Sequence, residues 1–509
     1  MKTLKKTISI FICILIAFCI FSACKKNENE PVQETTAEAE TTALPAAEKS
    51  ITLGYFESKG FNPYKTDSPL NRNLLTLIYD SLFIVEDGYT VSPLIAESFT
   101  NDGNLLTVTI KDELYFSDGS LVDPSDVVYS FNMAKDNSFY GKRLSNVKSA
   151  TASDTSVLFT LGKEDIFAEG CLTFPIIRAG DGGEKTPVGS GRYILKKKDG
   201  AYFLKANETT TRKEEMSTDR ISLVPVSADE GELYLLQTGD LSYFFDDLSD
   251  GEYTKIGANM VKMPLNNLVF LSFNSEGAFA DESLKEAVNL AIDRTGLCDK
   301  IYEGMYRKTK SVFNPDWYAA SSVSVSENPY SLKDAESILE KNGYIYAYSY
   351  NAYRSKNFEF LKLRLLVCSD TEAKASLAKE IKKALEGIGI GVELYEKEYS
   401  EYISSLKSGD FDLYIGEIKL SPNMSLSPFF SSGGSASYGI DTKSVAAKAY
   451  FDFTEGAIDI STFVQVFDSA LPFIPLCYRD GMAYYSRELS YEGNVNEYEP
   501  FKNVYSWEA

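Results

Sequence analysis

Histidine is absent from all 509 residues. That removes Ser-His and Cys-His nucleophile pairs, histidine general bases and His-containing zinc or nickel sites together. The titratable chemistry that remains belongs to carboxylates. A glycosidase needs only two of them flanking its scissile bond, but 73 Asp and Glu residues offer too many pairs for spacing to single one out. Cys171, Cys298, Cys368 and Cys477 stand far apart in apolar contexts such as Leu365-Leu366-Val367-Cys368, with no CxxC or other metal spacing. They read as buried free thiols, although an exported protein could pair two of them. Tyr344, Tyr346, Tyr348 and Tyr350 alternate and would put four rings on one face of a strand. Such a face could stack on a sugar or peptide, or simply pack.

The first residues fix the compartment. Met1 to Lys6 is basic, and Ile8 to Phe21 is an apolar run, the length of a signal h-region and short of the ~20 residues a spanning helix needs. It ends in Phe21-Ser22-Ala23-Cys24, which resembles a bacterial lipobox with Phe21 where leucine is usual. Residues 1–23 are therefore expected to be a lipoprotein signal peptide, and Cys24 the lipid-modified N-terminus. Residues 24–49 are rich in Glu, Thr, Ala, Asn and Pro and cannot bury enough surface to offset ordering, so they read as a disordered tether. Such a tether reaches about 30 Å. A net charge of −22 argues against a nucleic-acid partner. An acidic surface would attract cationic ligands, or more simply keep an exported chain soluble.

Several elements could position a site. Ile51 to Phe56 reads as a strand, Phe61-Asn62-Pro63-Tyr64 as a turn, and Ser68-Pro69 as the start of a helix bearing Leu70, Leu74, Leu77 and Ile78. Leu106, Val108 and Ile110 alternate as a half-buried strand, Asp118-Gly119 marks a tight turn, and Asp123-Pro124 reads as N-cap and N1 of a helix with Val127, Val128 and Phe131 on one face. Val157, Phe159 and Leu161 make another alternating strand, so this block is a small α+β unit. Further on, Leu361, Leu363, Leu365 and Val367 predict a strand, Ser369-Asp370 a helix cap, Gly387 and Gly389 a stop, and Ile390, Val392 and Leu394 the next strand. This is a βαβ unit with parallel strands buried on both faces. Phe411 to Ile415 adds one more strand.

In order along Ile51 to Leu489, these segments resemble the family 5 solute-binding proteins of bacterial ABC importers, the peptide- and nickel-binding group. Phe61-Asn62-Pro63 is similar to an early NP turn, and Pro93 to Phe99 resembles P-x-LAESW with Phe99 in place of tryptophan. Phe116 to Gly119 with Asp123 to Phe131 resembles FxDGxPxTAEDVVYSF, the most specific block. Pro187 to Tyr193 looks like PVGTGPY, Ala287 to Arg294 like QAIxYAIDR, Asp334 to Tyr344 like AxxLLxxAGY, Gly409 to Asp412 like GDYD, and Leu471 to Leu476 like PxIPL.

The resemblance implies an α/β, two-lobed periplasmic-binding-protein-like fold (type II, cluster C) with an extra α+β subdomain on the first lobe. Lobe I would comprise 50–74, 170–264 and 470–509, the subdomain 75–169, and lobe II 265–469, with the chain crossing near Leu265 and Ser469. A lipid-anchored monomer of this kind would close on a small solute, a peptide being favoured, and deliver it to ABC permease subunits, with no catalytic residue, metal or cofactor. Loops at strand ends facing the inter-lobe cleft point to Phe56, Glu57, Asn62, Phe245, Asp246, Asn274, Glu417 and Tyr438 as ligand contacts. The family's oligopeptide binders place a tryptophan and an aspartate in a GWxxD-like stretch. Gly416-Glu417-Ile418-Lys419-Leu420 has neither there, and the histidine of the nickel binders is missing too. Glu57, Asp246 or Glu417 could receive a cationic group instead. A surface-anchored glycosidase and a ligand sensor without transport remain as alternatives.

Overall fold

The computed structural model describes residues 50–213, 216, 218–227, 231–249, 257–309, 311–323, 329–346, 352–491 and 495–507. The signal peptide, Cys24, the tether, Tyr348 and Tyr350 lie outside them. In chain order, the strands used below are β1 (Thr52–Tyr55), β2 (Ala96–Asp102), β3 (Leu105–Ile110), β4 (Val147–Ala152), β5 (Ser156–Leu161), β6 (Tyr193–Lys198), β7 (Ala201–Ala206), β8 (Arg220–Pro225), β9 (Tyr243–Asp246), β10 (Asn259–Phe273), β11 (Lys362–Cys368), β12 (Gly391–Lys397), β13 (Leu413–Lys419) and β14 (Phe473–Tyr485). The helices used are α1 (Pro69–Leu75), α2 (Pro124–Asp136), α3 (Glu372–Gly387) and α4 (Tyr399–Ser408).

One mixed sheet runs in the order β12-β11-β13-β10-β14-β9-β1-β8-β7-β6. Its halves form two lobes joined through β10 and β14, which pair antiparallel along nearly their whole length. Asn259–Pro264 faces Tyr485–Asp480, where β14 also pairs with β9. Leu268–Ser272 faces Tyr478–Phe473, where β10 also pairs with β13. The ladder breaks between Pro264 and Leu268. Proline has no N–H to give a ladder, so a break beside it follows from its chemistry. The break follows Leu265 closely, and the apolar run from Phe473 to Tyr478 is paired with the Leu268–Ser272 part of β10.

In β10, Val269, Leu271 and Phe273 enter one core and Leu268 and Phe270 the other, so both faces of the second lobe's sheet are covered. The βαβ unit is present: β11 and β12 are parallel from Lys362↔Gly391 to Cys368↔Lys397, with α3 between them. Its helix start differs from expectation. Thr371 occupies the N-cap with no side-chain bond, while Asp370 accepts the Tyr399 backbone N–H at 3.2 Å. The α+β unit is the antiparallel sheet β2-β3-β5-β4 with α2 against it, and its core merges with that of the first lobe. At α2, Asp123 accepts the Ser125 N–H and Asp126 reaches back to the Asp123 N–H, a reciprocal cap that fixes where the helix begins. Cys171, Cys298, Cys368 and Cys477 are buried free thiols. Of the tyrosine run, Tyr344 is buried and gives its hydroxyl to Asp281, whereas Tyr346 lies exposed against Arg354.

Candidate functional site

Where the long strands cross, the ladder break leaves polar groups that side chains satisfy. Arg479 places both Nε and Nη2 2.7 Å from Glu417 Oε1 and gives Nη1 to the carbonyls of Asp247 and Leu248 at 3.0 Å. Glu417 also accepts from Asn267 Nδ2 at 2.8 Å and meets Lys374 Nζ at 3.1 Å. Burial alone would raise this carboxyl's pKa, but Arg479 and Lys374 outweigh it and hold it at about 2. Beside it, Arg307 bonds Asp480 through Nε at 2.7 Å, Asn314 at 2.8 Å, and the Leu265 carbonyl. Asn266 donates to the Leu420 and Ser421 carbonyls at 3.1 Å, and its own N–H goes to Glu497 at 2.5 Å.

A cavity of about 440 Å³ opens next to this network. One wall is second lobe: Cys368, Tyr402, Tyr414, Glu417 and Tyr438. Facing it are Phe139, Lys142 and Arg143 from the loop and short helix after α2. A further cavity of about 240 Å³ shares Phe139 and Arg143 and continues into the first lobe past Arg72, Tyr498 and Glu499. Tyr402 gives its hydroxyl to the Ile415 carbonyl at 2.8 Å and Tyr414 gives its own to Ala436 at 3.1 Å. The Tyr438 hydroxyl makes no hydrogen bond among the described residues. The Arg72 and Arg143 guanidinium carbons lie 3.8 and 4.6 Å from the Phe139 ring centroid. Arg143 also donates to the Thr173 hydroxyl at 3.2 Å.

The far side of the cleft is closed by the segment that follows β5. Asn423 donates to Asp165 at 2.9 Å, the Ile166 N–H bonds the Thr454 carbonyl at 2.9 Å, and Phe167 packs on Trp317 and Phe453. A Cβ at Gly170 would lie 3.0 Å from the Asn423 backbone nitrogen, so a side chain there would require that segment to shift by a few tenths of an ångström. Burial lifts Asp165 to about 6 and Glu169 to about 7, the Asp165 charge adding to the latter.

Of the eight expected contacts, Glu417 and Tyr438 line the larger cavity. Glu417 is not free for a cationic guest, since Arg479 and Lys374 already hold it. Asn62 is buried and ties the Gly182 and Glu184 carbonyls at 3.2 and 2.9 Å. Phe56 is clamped through its backbone by Asn71, and Glu57 is exposed beside it. Phe245 packs against Gly481, and Asp246 is exposed and accepts the Leu248 N–H. Asn274 lies at the other end of the sheet. β10 runs antiparallel to β13, so when the end of β13 meets the cleft the end of β10 points away, and Asn274 bonds the Phe411 carbonyl there at 3.1 Å. Missed were Arg72, Phe139, Arg143 and Lys374. The Phe139-Tyr140-Gly141-Lys142-Arg143 run, aromatic and basic in an acidic chain, was the available signal.

The chain belongs to the bacterial extracellular solute-binding proteins, family 5, whose middle region matches residues 90–453. It is 22% identical over 380 residues to the nickel-binding periplasmic protein of Escherichia coli (strain K12), covering 68% of this chain and 72% of that one. It is 24% identical over 317 residues to the glutathione-binding protein GsiB of Shigella flexneri serotype 5b, covering 58% of this chain and 62% of that protein's length. The unliganded open form of MppA, a periplasmic murein tripeptide binding protein, superposes with a TM-score of 0.72 at 16% identity over 91% of this chain and 98% of that one. At that identity the structural likeness is one of fold.

Proposed function

We propose that this protein is the solute-capturing subunit of an ABC importer, taking a peptide between its lobes and presenting the closed form to the permease. The observation that carries the reading is the cavity between two lobes joined through paired strands with a local break, an arrangement that lets a ligand drive closure by bending a few residues. The glutathione-binding and tripeptide-binding proteins it is similar to support a peptide. A two-carboxylate hydrolase finds less support: Glu417 is the one carboxylate in the wall of the larger cavity among the described residues, and it is held ionised. The lipid anchor at Cys24 rests on the lipobox resemblance, and the monomer on the family's usual form. Glu57 and Asp246, exposed and outside the walls of both cavities, stay as candidates, with Tyr438 the strongest of the expected contacts.

Native mass spectrometry of the purified chain tests the capture: a co-purified peptide of a few residues is expected, and turnover of a glycan panel with no retained solute would sink it. Palmitate labelling that persists in C24S would remove the anchor.

A further inference from the structure

Resting on the lipid anchor proposed above at Cys24, we propose that the outer face of β6, β7 and β8 lies against the anionic headgroups of the bilayer that holds the tether.

Strand register gathers the cations. Lys196 stands opposite Phe203 and Phe203 opposite Ser222, while Lys205 stands opposite Arg220. Side chains two apart on a strand share a face, so Lys196, Lys198, Lys205 and Arg220 all project from the same side of the sheet. All four are exposed. The other side carries Tyr193, Leu204 and Ile221 into the first lobe's core, and Lys197 rests there over the Tyr202 ring at 4.3 Å. Lysines on an edge strand such as β6 can serve simply to block the addition of another strand. Lys205 and Arg220 lie on the second and third strands in, where that duty does not arise.

Few acids answer them. Among the described residues of these strands and the segments between, the carboxylates are Asp199, Glu208 and Asp219. Asp199 sits in the turn beside Lys198; Glu208 is held by Lys213 and lies 3.9 Å from Lys205; Asp219 precedes Arg220 and by alternation falls on the other side. Lys196 and Lys198 make no ion pair among the described residues, and Arg220 covers the Phe203 ring at 4.1 Å. The chain also enters the fold on this face. Ser50 Oγ lies 3.3 Å from Ser222 Oγ, and Thr52 pairs with Ser222. Residues 24–49, which would lead from the lipid to Ser50, therefore join the body beside the cations, and a reach of about 30 Å raises the face's effective concentration at the headgroups. The whole protein, at −22, is repelled by an anionic surface, but salt confines that contest to about 10 Å, so the side that arrives nearest decides. Each basic side chain close to such a surface raises partitioning by about 5-fold. One side of the first lobe is thereby turned to the membrane.

Vesicle co-sedimentation tests this with the chain from residue 24 onward carrying C24S, which has no acyl group to hold it. Binding to phosphatidylglycerol vesicles is expected at low ionic strength, with none to phosphatidylcholine vesicles and release as salt is raised. K196Q/K198Q should weaken that binding about 25-fold and R220Q about 5-fold. K379Q/K383Q removes the same charge from exposed positions on α3 and should leave binding unchanged. If a replacement disturbs the edge strand, the lipid preference and salt dependence of the otherwise unaltered chain still decide. Equal binding to both vesicles, binding to neither, an equal loss in K379Q/K383Q, or tighter binding to soluble polyphosphate than to phosphatidylglycerol would each overturn the proposal. The two readings fail apart: palmitate labelling that persists in C24S removes the anchor, whereas salt-sensitive sedimentation of the unacylated chain is a property of this face alone.

Discussion

Charges on the two sides of the cleft live under different rules. At the crossing strands Arg479 and Asp480 are buried, Glu417 and Arg307 are partly so, and each meets an opposite charge and further hydrogen bonds. Around Phe139, a short way across the cavity, Arg72 and Arg143 meet an aromatic ring and a threonine hydroxyl. The first group spends its charge on holding the ladder break together, so removing one partner strands the other in a poor solvent. The second group makes ring contacts and one neutral hydrogen bond, so removing a member should cost the fold less. Partner inventory, more than burial or residue type, separates the two groups.

The largest effect that could break this contrast is at Arg479. R479A leaves Glu417 with Lys374 and Asn267 and two carbonyls unmet, and urea unfolding should show a loss of about 3–5 kcal/mol. A loss under about 1 kcal/mol would mean that the crossing network is idle. The double replacement E417L/R479M removes both charges together and should recover most of that stability.

Next comes pH. Asp165 and Glu169 have folded pKa values raised to about 6 and 7, so the folded state holds their protons more tightly than the unfolded chain. Their contribution is complete below about pH 4 and is lost as pH rises through 6 to 7. Stability should fall by roughly 1–3 kcal/mol over that window, and D165N should flatten the slope. A profile unchanged in D165N would show that this contact between the segment after β5 and the second lobe does not titrate.

The smallest effect is expected where the contrast is sharpest. R72Q and R143Q should shift unfolding free energy by only about 0.5 kcal/mol in either direction, since like-charge repulsion disappears as ring contact does. A loss of several kcal/mol in either would move that arginine into the structural class.

The sequence made the layers readable because periodicity is local. Leu363, Leu365 and Val367 alternate, the glycines after α3 stop a helix, and Asp123-Pro124 caps one. Site residues were legible only where strand direction could be guessed. Glu417 and Tyr438 fell at the cleft, while Asn274 went to the opposite end because the direction of β10 is set by pairing with distant strands. An arginine without a partner is invisible in principle at that stage, since its condition is defined by which acids fail to arrive from elsewhere in the chain.

The long strands also order events during synthesis. β9 finds its antiparallel neighbour only in Tyr485–Met482, and the Tyr243 ring packs on Trp507, whose carbonyl accepts the Thr218 hydroxyl. The first lobe's sheet therefore completes only after the second lobe has been made, because it waits for residues 473–507. Loss of residues 473–507 would leave a raw edge on β9 and strand both halves short of a native state.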